Sequence, residues 1–261
     1  MTFIIYHYQL STFRFPLYNL RFMPAPSVHA FAEKVALITD GENPIGRAVA
    51  LQLALQGAYV IVGLAGSTEG SRRAIDELQN LGTLAASVET DVSTVEGARE
   101  LVLRVENMFG RIDLLVNCLK YVSDSAFEEV GEADFENAFS KSAKSVFFVT
   151  QEALRLMKTR PKPKIVNVIS ALDTDEARKN VLLAAAQKSL IGLTESLALS
   201  LPENFRVNSV AVSEKKSAEA DLDAELFRPR AGVSEDDVAR TVLFLLSSEA
   251  IGLNGQILKV E

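Results

Sequence analysis

The sequence predicts an α/β fold: a single Rossmann-like, doubly wound parallel sheet of about seven strands with helices on both faces. Three observations carry this. Short apolar runs alternate with segments of helical period from residue 35 to the end. Glycine or proline follows most predicted helices, at Gly57, Gly82, Gly110 and Pro161. The stretch from Lys34 to Val62 reads as strand, tight turn, helix and strand, which is a βαβ unit.

The elements follow in order. A strand at 35–38 meets a turn at 40–43. A helix then carries apolar residues at helical spacing from Ile45 to Leu55, and a strand follows at 59–62. Asn43 is a good helix cap, and Pro44 suits a first helical position because its missing N–H has no partner to lose. Further helices are predicted at 71–81, 95–109, 134–157, 181–201 and 236–245. Strands fall between them at 84–88, 112–116, 165–169, 205–212 and 256–260. The predicted division is an N-terminal extension at 1–31 and one folded domain at 32–261.

Composition narrows the function. The chain has 261 residues, 48% hydrophobic and 23% charged, enough for one sizeable core. A net charge of −7 disfavours binding to nucleic acid or to an anionic membrane. No apolar run approaches the roughly 18 residues that span a bilayer, and the predicted location is cytoplasmic. Cys118 is the single cysteine, so an intrachain disulfide or a thiolate metal cluster is excluded. Both histidines, His7 and His29, precede the first strand of the domain. That argues against a Ser-His-Asp triad and a histidine metal site there. Residues 1–22 hold seven of the nineteen aromatics (14 Phe plus 5 Tyr) and read as an extension upstream of Met23.

Several segments, taken in order, match one family. Thr39, Ile45 and Gly46 match its first turn, T-G-x-x-x-G-x-G, but Asp40 and Pro44 stand where two glycines should be. Asp91-Val92 follow the third strand of the domain, and Leu115-Val116-Asn117 match the start of L-V-N-N-A-G, continuing as Cys118-Leu119-Lys120. Ile165-Val166-Asn167 with Ser170, and Lys188 with Ile191-Gly192-Leu193, match the strand and helix of the catalytic centre. Over residues 32–261 the chain resembles the short-chain dehydrogenase/reductase family, as a divergent member.

The resemblance implies an NAD(P)-dependent oxidoreductase fold. Its cofactor contacts would fall at Thr39, Asp40, Ile45, Gly46, Leu64, Asp91, Val92, Asn117, Lys120 and Lys188. Its catalytic remnants would be Ser170 and Lys188, with Ala184 in the tyrosine position and Ser142 in the asparagine position. Without a phenol the family's proton transfer has no donor. Asp40, Glu42 and Pro44 oppose a phosphate in the first turn, because two bring negative charge and the third lacks an N–H. Arg72 and Arg73 lean the cofactor choice toward NADP. Lys120 is predicted to approach Asp40 or Glu42 and fill the vacated phosphate position.

Two functions follow. The first is a binding or scaffold subunit without standard catalysis. It would be a homo-oligomer, dimer or tetramer, joined through helices 134–157 and 181–201, or a mixed oligomer with an active relative. The alternative is an active oxidoreductase on a carbonyl or alcohol with a non-standard proton donor.

Overall fold

Strands β2 (Val35–Ile38), β3 (Tyr59–Leu64), β4 (Ala85–Glu89), β5 (Leu114–Asn117), β6 (Lys164–Ser170), β7 (Arg206–Val212) and β8 (Ile257–Val260) form the body of the sheet. They follow a two-residue strand β1 (Ile4–Ile5). In this computed structural model residues 4–5, 30–66, 69–81, 83–118, 126–171, 174–212 and 233–260 are described. The sheet order is β1-β8-β7-β6-β5-β2-β3-β4. Strands β2 to β8 are mutually parallel, and β1 adds an antiparallel edge against β8. The expected parallel sheet is thus present, with one edge strand beyond the seven.

The chain runs outward from β2 through β3 to β4, then returns to pair β5 on the other side of β2. The carboxyl ends of β2 and β5 therefore face a switch point, where open α/β sheets place their ligands. Every residue of β2 is fully buried, as a strand covered on both faces must be. Ala36 and Ile38 point into one core with α1 (Pro44–Leu55), α2 (Glu69–Asn80) and α8 (Glu235–Leu246). Val35 and Leu37 point into the other, with α3 (Val95–Phe109) and α5 (Ser145–Met157). Helices α4 (Glu132–Phe139), α6 (Thr174–Lys179) and α7 (Val181–Ser200) complete the fold. Gly110 ends α3 at φ 66°, a left-handed value that glycine adopts without steric cost.

The single helix predicted at 134–157 is broken. Between α4 and α5 lies a π-helical segment, Ser140–Lys144. The Ser142 hydroxyl donates to the Ala138 carbonyl, and the Ser145 hydroxyl to the Ser140 carbonyl. Such back-bonding competes with the regular backbone ladder and widens the turn, which apolar periodicity does not register. The short helix α6 was not expected from the sequence.

At the amino ends of the strands, buried Asp113 accepts the Val35 N–H at 3.0 Å. The same carboxylate is approached by Arg160 at 2.8 Å and Arg111 at 3.5 Å. Nearby, buried Lys164 has no carboxylate partner among the described residues and donates to the Ser247 carbonyl at the C-terminal cap of α8. Burial first, then the charges of Arg206, Lys162 and Lys34, pull its ammonium down to about 8 from 10.5. Between those two values the native lysine has lost a proton that the unfolded one retains, so its contribution favours folding increasingly as pH rises. Lys164→Met is therefore expected to gain stability relative to the native chain at pH 7. Urea titrations should show that advantage shrinking by about 2 kcal/mol between pH 7 and 10.

Candidate active site at the sheet switch point

The turn after β2 is built from its own polar side chains. The Asp40 carboxylate accepts the N–H groups of Glu42 and Asn43 through Oδ1, both at 3.1 Å. Asn43 caps α1 by accepting the Ile45 N–H at 2.9 Å, and Pro44 takes the first helical position. The Asn43 amide also reaches across the switch point and donates to the Cys118 carbonyl at 3.0 Å. The Cys118 N–H donates to the Thr39 hydroxyl at 3.1 Å. Gly46 permits this tight return, because a Cβ there would lie 1.9 Å from the Asp40 carbonyl oxygen. Burial pushes the Asp40 carboxyl up, the two amide bonds oppose that, and the Glu42 charge reinforces it. The buried Cys118 thiol is also pushed up, by burial first and by the Asp40 charge second.

The carboxyl ends of β3 and β4 are simpler. Leu64 ends β3 buried, and its carbonyl accepts the Thr90 N–H at 2.9 Å. The Asp91 carboxylate accepts the N–H and hydroxyl of Ser93 at 3.0 and 2.6 Å, and these bonds hold it below the usual carboxylate range. Lys141 and Lys144 add a smaller push in the same direction. Val92 is buried beside it. Lys120, with Leu119 and Tyr121, lies outside the described residues, as do the side chains of Arg72 and Arg73. The predicted approach of Lys120 to Asp40 and the predicted phosphate contact of the two arginines therefore fall outside them.

Across the switch point, Ser170 ends β6 and its N–H donates to the Gln187 side-chain carbonyl at 3.0 Å. Gln187 is buried, 4% exposed, whereas Lys188 is exposed on the outer face of α7. The structure thus brings Gln187 to Ser170 and leaves Lys188 facing solvent. One helical residue turns the side chain by about 100°, so the two neighbours cannot share a face. Helical period was the available signal. Counting back from Leu190 by three, and then by four more, reaches Gln187 and Leu183, not Lys188 and Ala184. Ala184 is buried, and Ser142 is fully buried in the π-helical segment with its hydroxyl spent on Ala138. Gln187, Leu183 and Ala184 supply no group that titrates near neutral pH.

Asn117 belongs to a buried polar chain beneath this site. Its amide donates to the Asn167 side-chain carbonyl at 2.8 Å and to the Thr150 hydroxyl at 3.3 Å. Asn167 in turn donates to the Thr194 hydroxyl at 2.9 Å. Thr194 lies 2.8 Å from the Ser209 hydroxyl and donates to the Leu190 carbonyl. This chain ties β5, β6 and β7 to α7 and holds Gln187 at the end of β6. The Asn117 side-chain oxygen is buried without a partner among the described residues.

A sequence model of the short chain dehydrogenase family matches residues 34–221. The chain belongs to this family. As a short-chain dehydrogenase it is 30% identical over 236 residues to the 3-oxoacyl-(acyl-carrier-protein) reductase FabG of Staphylococcus aureus, across 87% of this chain and 96% of that one. It is 32% identical to the Aquifex aeolicus FabG, across 87% and 95%. Among solved structures, a Burkholderia cenocepacia short chain dehydrogenase in complex with NADP superposes with a TM-score of 0.78 at 27% identity, covering 89% and 98%. A Serratia marcescens short-chain dehydrogenase/reductase shares the fold with a TM-score of 0.77 at 23% identity, covering 89% and 98%. The family is one of NAD(P)-binding oxidoreductases. Among the described residues no cluster of metal-ligating side chains occurs, and no helix is long and apolar enough to cross a membrane.

The Thr194 hydroxyl is the hub of the polar chain, so Thr194→Val leaves the Asn167 amide and Ser209 hydroxyl short of a partner. Denaturant unfolding is expected to show a loss of about 2 kcal/mol.

Proposed function

We propose that this short-chain dehydrogenase lacks the family's standard catalysis and acts as a binding or scaffold subunit of an oligomer. One observation carries the reading: buried Gln187 bonds Ser170, so helix α7 offers Leu183 and Gln187 to the site in the spacing of the family's Y-x-x-x-K. In this register the phenol and the ammonium are both replaced. In the neighbouring register, Ala184 and Lys188, the phenol is still missing. An amide and an aliphatic chain can orient a carbonyl but cannot pass it a proton at pH 7. Ser170 remains as an orienting hydroxyl.

NAD(P) is the cofactor class of the family. Thr39, Ile45, Gly46, Leu64, Asp91, Val92 and Asn117 line the path it would take. When bound it would supply the hydride, and Ser170 would hold the carbonyl to be reduced. The residues of the first turn fit it poorly: Asp40 sets a carboxylate against a phosphate, and Pro44 offers no N–H. The second reading, an active oxidoreductase on a carbonyl or alcohol, is favoured by identities of 30–32% with FabG reductases across 87% of the chain. Arg72 and Arg73 lean that reading toward NADP.

The oligomer is proposed to form through α5 and α7, as a homodimer or tetramer or with an active relative. Phe147 on α5 and Leu199 on α7 are exposed, Leu199 at 88%.

Two measurements test this. With NADPH and a 3-oxoacyl thioester, turnover is expected to lie at least about a hundredfold below that of a FabG reductase assayed alongside, as loss of general acid catalysis requires. A comparable rate overturns the reading. Light scattering after size exclusion is expected to give a dimer or larger at micromolar concentration, shifted toward monomer by Phe147→Glu with Leu199→Glu. A native monomer removes the scaffold role.

A further inference from the structure

Four backbone donors of the first turn are spoken for. Gly41 N–H goes to the Gly63 carbonyl at 3.0 Å. Glu42 and Asn43 N–H go to the Asp40 carboxylate, and Ile45 N–H goes to the Asn43 side chain. Pro44, between them, has none. A diphosphate at the start of a helix binds through such donors, and its charge is balanced by them. Here a carboxylate of the same turn already supplies that negative charge. The Asn43 amide then crosses from the turn to the Cys118 carbonyl, while Thr39 holds the Cys118 N–H. Both polar groups of the Cys118 backbone are tied to the turn just beyond the carboxyl ends of the paired strands β2 and β5.

We infer that Asp40 and Asn43 form an autoinhibitory contact. Asp40 is the resident anion of the turn, and Asn43 stitches the switch-point crevice closed. The inference rests on the family reading, which puts a dinucleotide diphosphate at this turn, and it deepens it by naming what shuts the site. Exclusion comes from occupancy of the donors. Removing the charge alone, with the acceptor oxygen kept, leaves the turn closed. Removing the side chain frees two N–H groups, and shortening Asn43 to serine cuts the stitch while keeping a capping oxygen for Ile45.

The test is calorimetric titration of the full chain with NADPH and with NADH. The native protein and Asp40→Asn are expected to show no saturable binding up to about 1 mM. Asp40→Gly with Asn43→Ser is expected to bind at least about tenfold tighter than native. In native protein, hydrogen exchange at the Glu42 and Asn43 amides is expected to be slow, and unchanged by NADPH. Micromolar binding by the native chain overturns the contact. So does an Asp40→Asn gain equal to that of the double variant, or a double variant that melts like native and binds no better. Fast native exchange at both amides overturns it even if the double variant does not fold. Tight native binding without turnover defeats the contact alone, whereas tight binding with turnover defeats the proposed function as well.

Discussion

The backbone of Cys118 is where the two halves of the sheet are fastened. Strands β2 and β5 belong to halves that wind in opposite directions, and only the parallel ladder joins them along their length. At its carboxyl end the ladder passes into side-chain bonds from Thr39 and Asn43 to Cys118. These bonds settle how far the first turn can stand away from the fourth strand of the domain. In an open doubly wound sheet that distance decides whether a ligand enters. The Asp40 turn, the start of α1 and the buried Cys118 thiol all lie beside these bonds.

A second set of bonds sets the surroundings of Ser170. Polar groups buried between sheet and helix must be paired, and a paired network permits few arrangements. Asn117, Asn167, Thr194 and Ser209 form such a network across three strands and α7. It fixes the rotation of α7 about its axis. With Thr194 turned inward, Gln187 seven residues (nearly two turns) earlier also points inward, and Lys188 points out. The hydrogen bond from Ser170 to Gln187 is a consequence of that rotation.

Some of this was legible residue by residue. Asn43 and Pro44 announce a helix start because capping and proline geometry are local properties, and the structure places both in those roles. The apolar runs at Val35–Ile38 and Ile165–Ile169 identify buried strands because each is too short for a helix and too apolar for an edge. Other features were not legible. The break at Ser140–Lys144 depends on serine hydroxyls competing with backbone carbonyls, which leaves the apolar period intact. The family's spacing points to Lys188 because a lysine stands near it. Packing of the helix against β6 and β7 selects the neighbouring glutamine instead.

By itself the sequence determined the α/β class and the order of the seven parallel strands along the chain, and it sets alanine rather than tyrosine at position 184. These depend on local periodicity, caps and residue identity, which need no distant partner. Tertiary structure alone decided that Gln187 rather than Lys188 meets Ser170, and that Asn43 spans to Cys118. Those contacts join residues 17 and 75 positions apart. Their geometry comes from how helices rotate on the sheet and how two strands meet, and no local pattern records either.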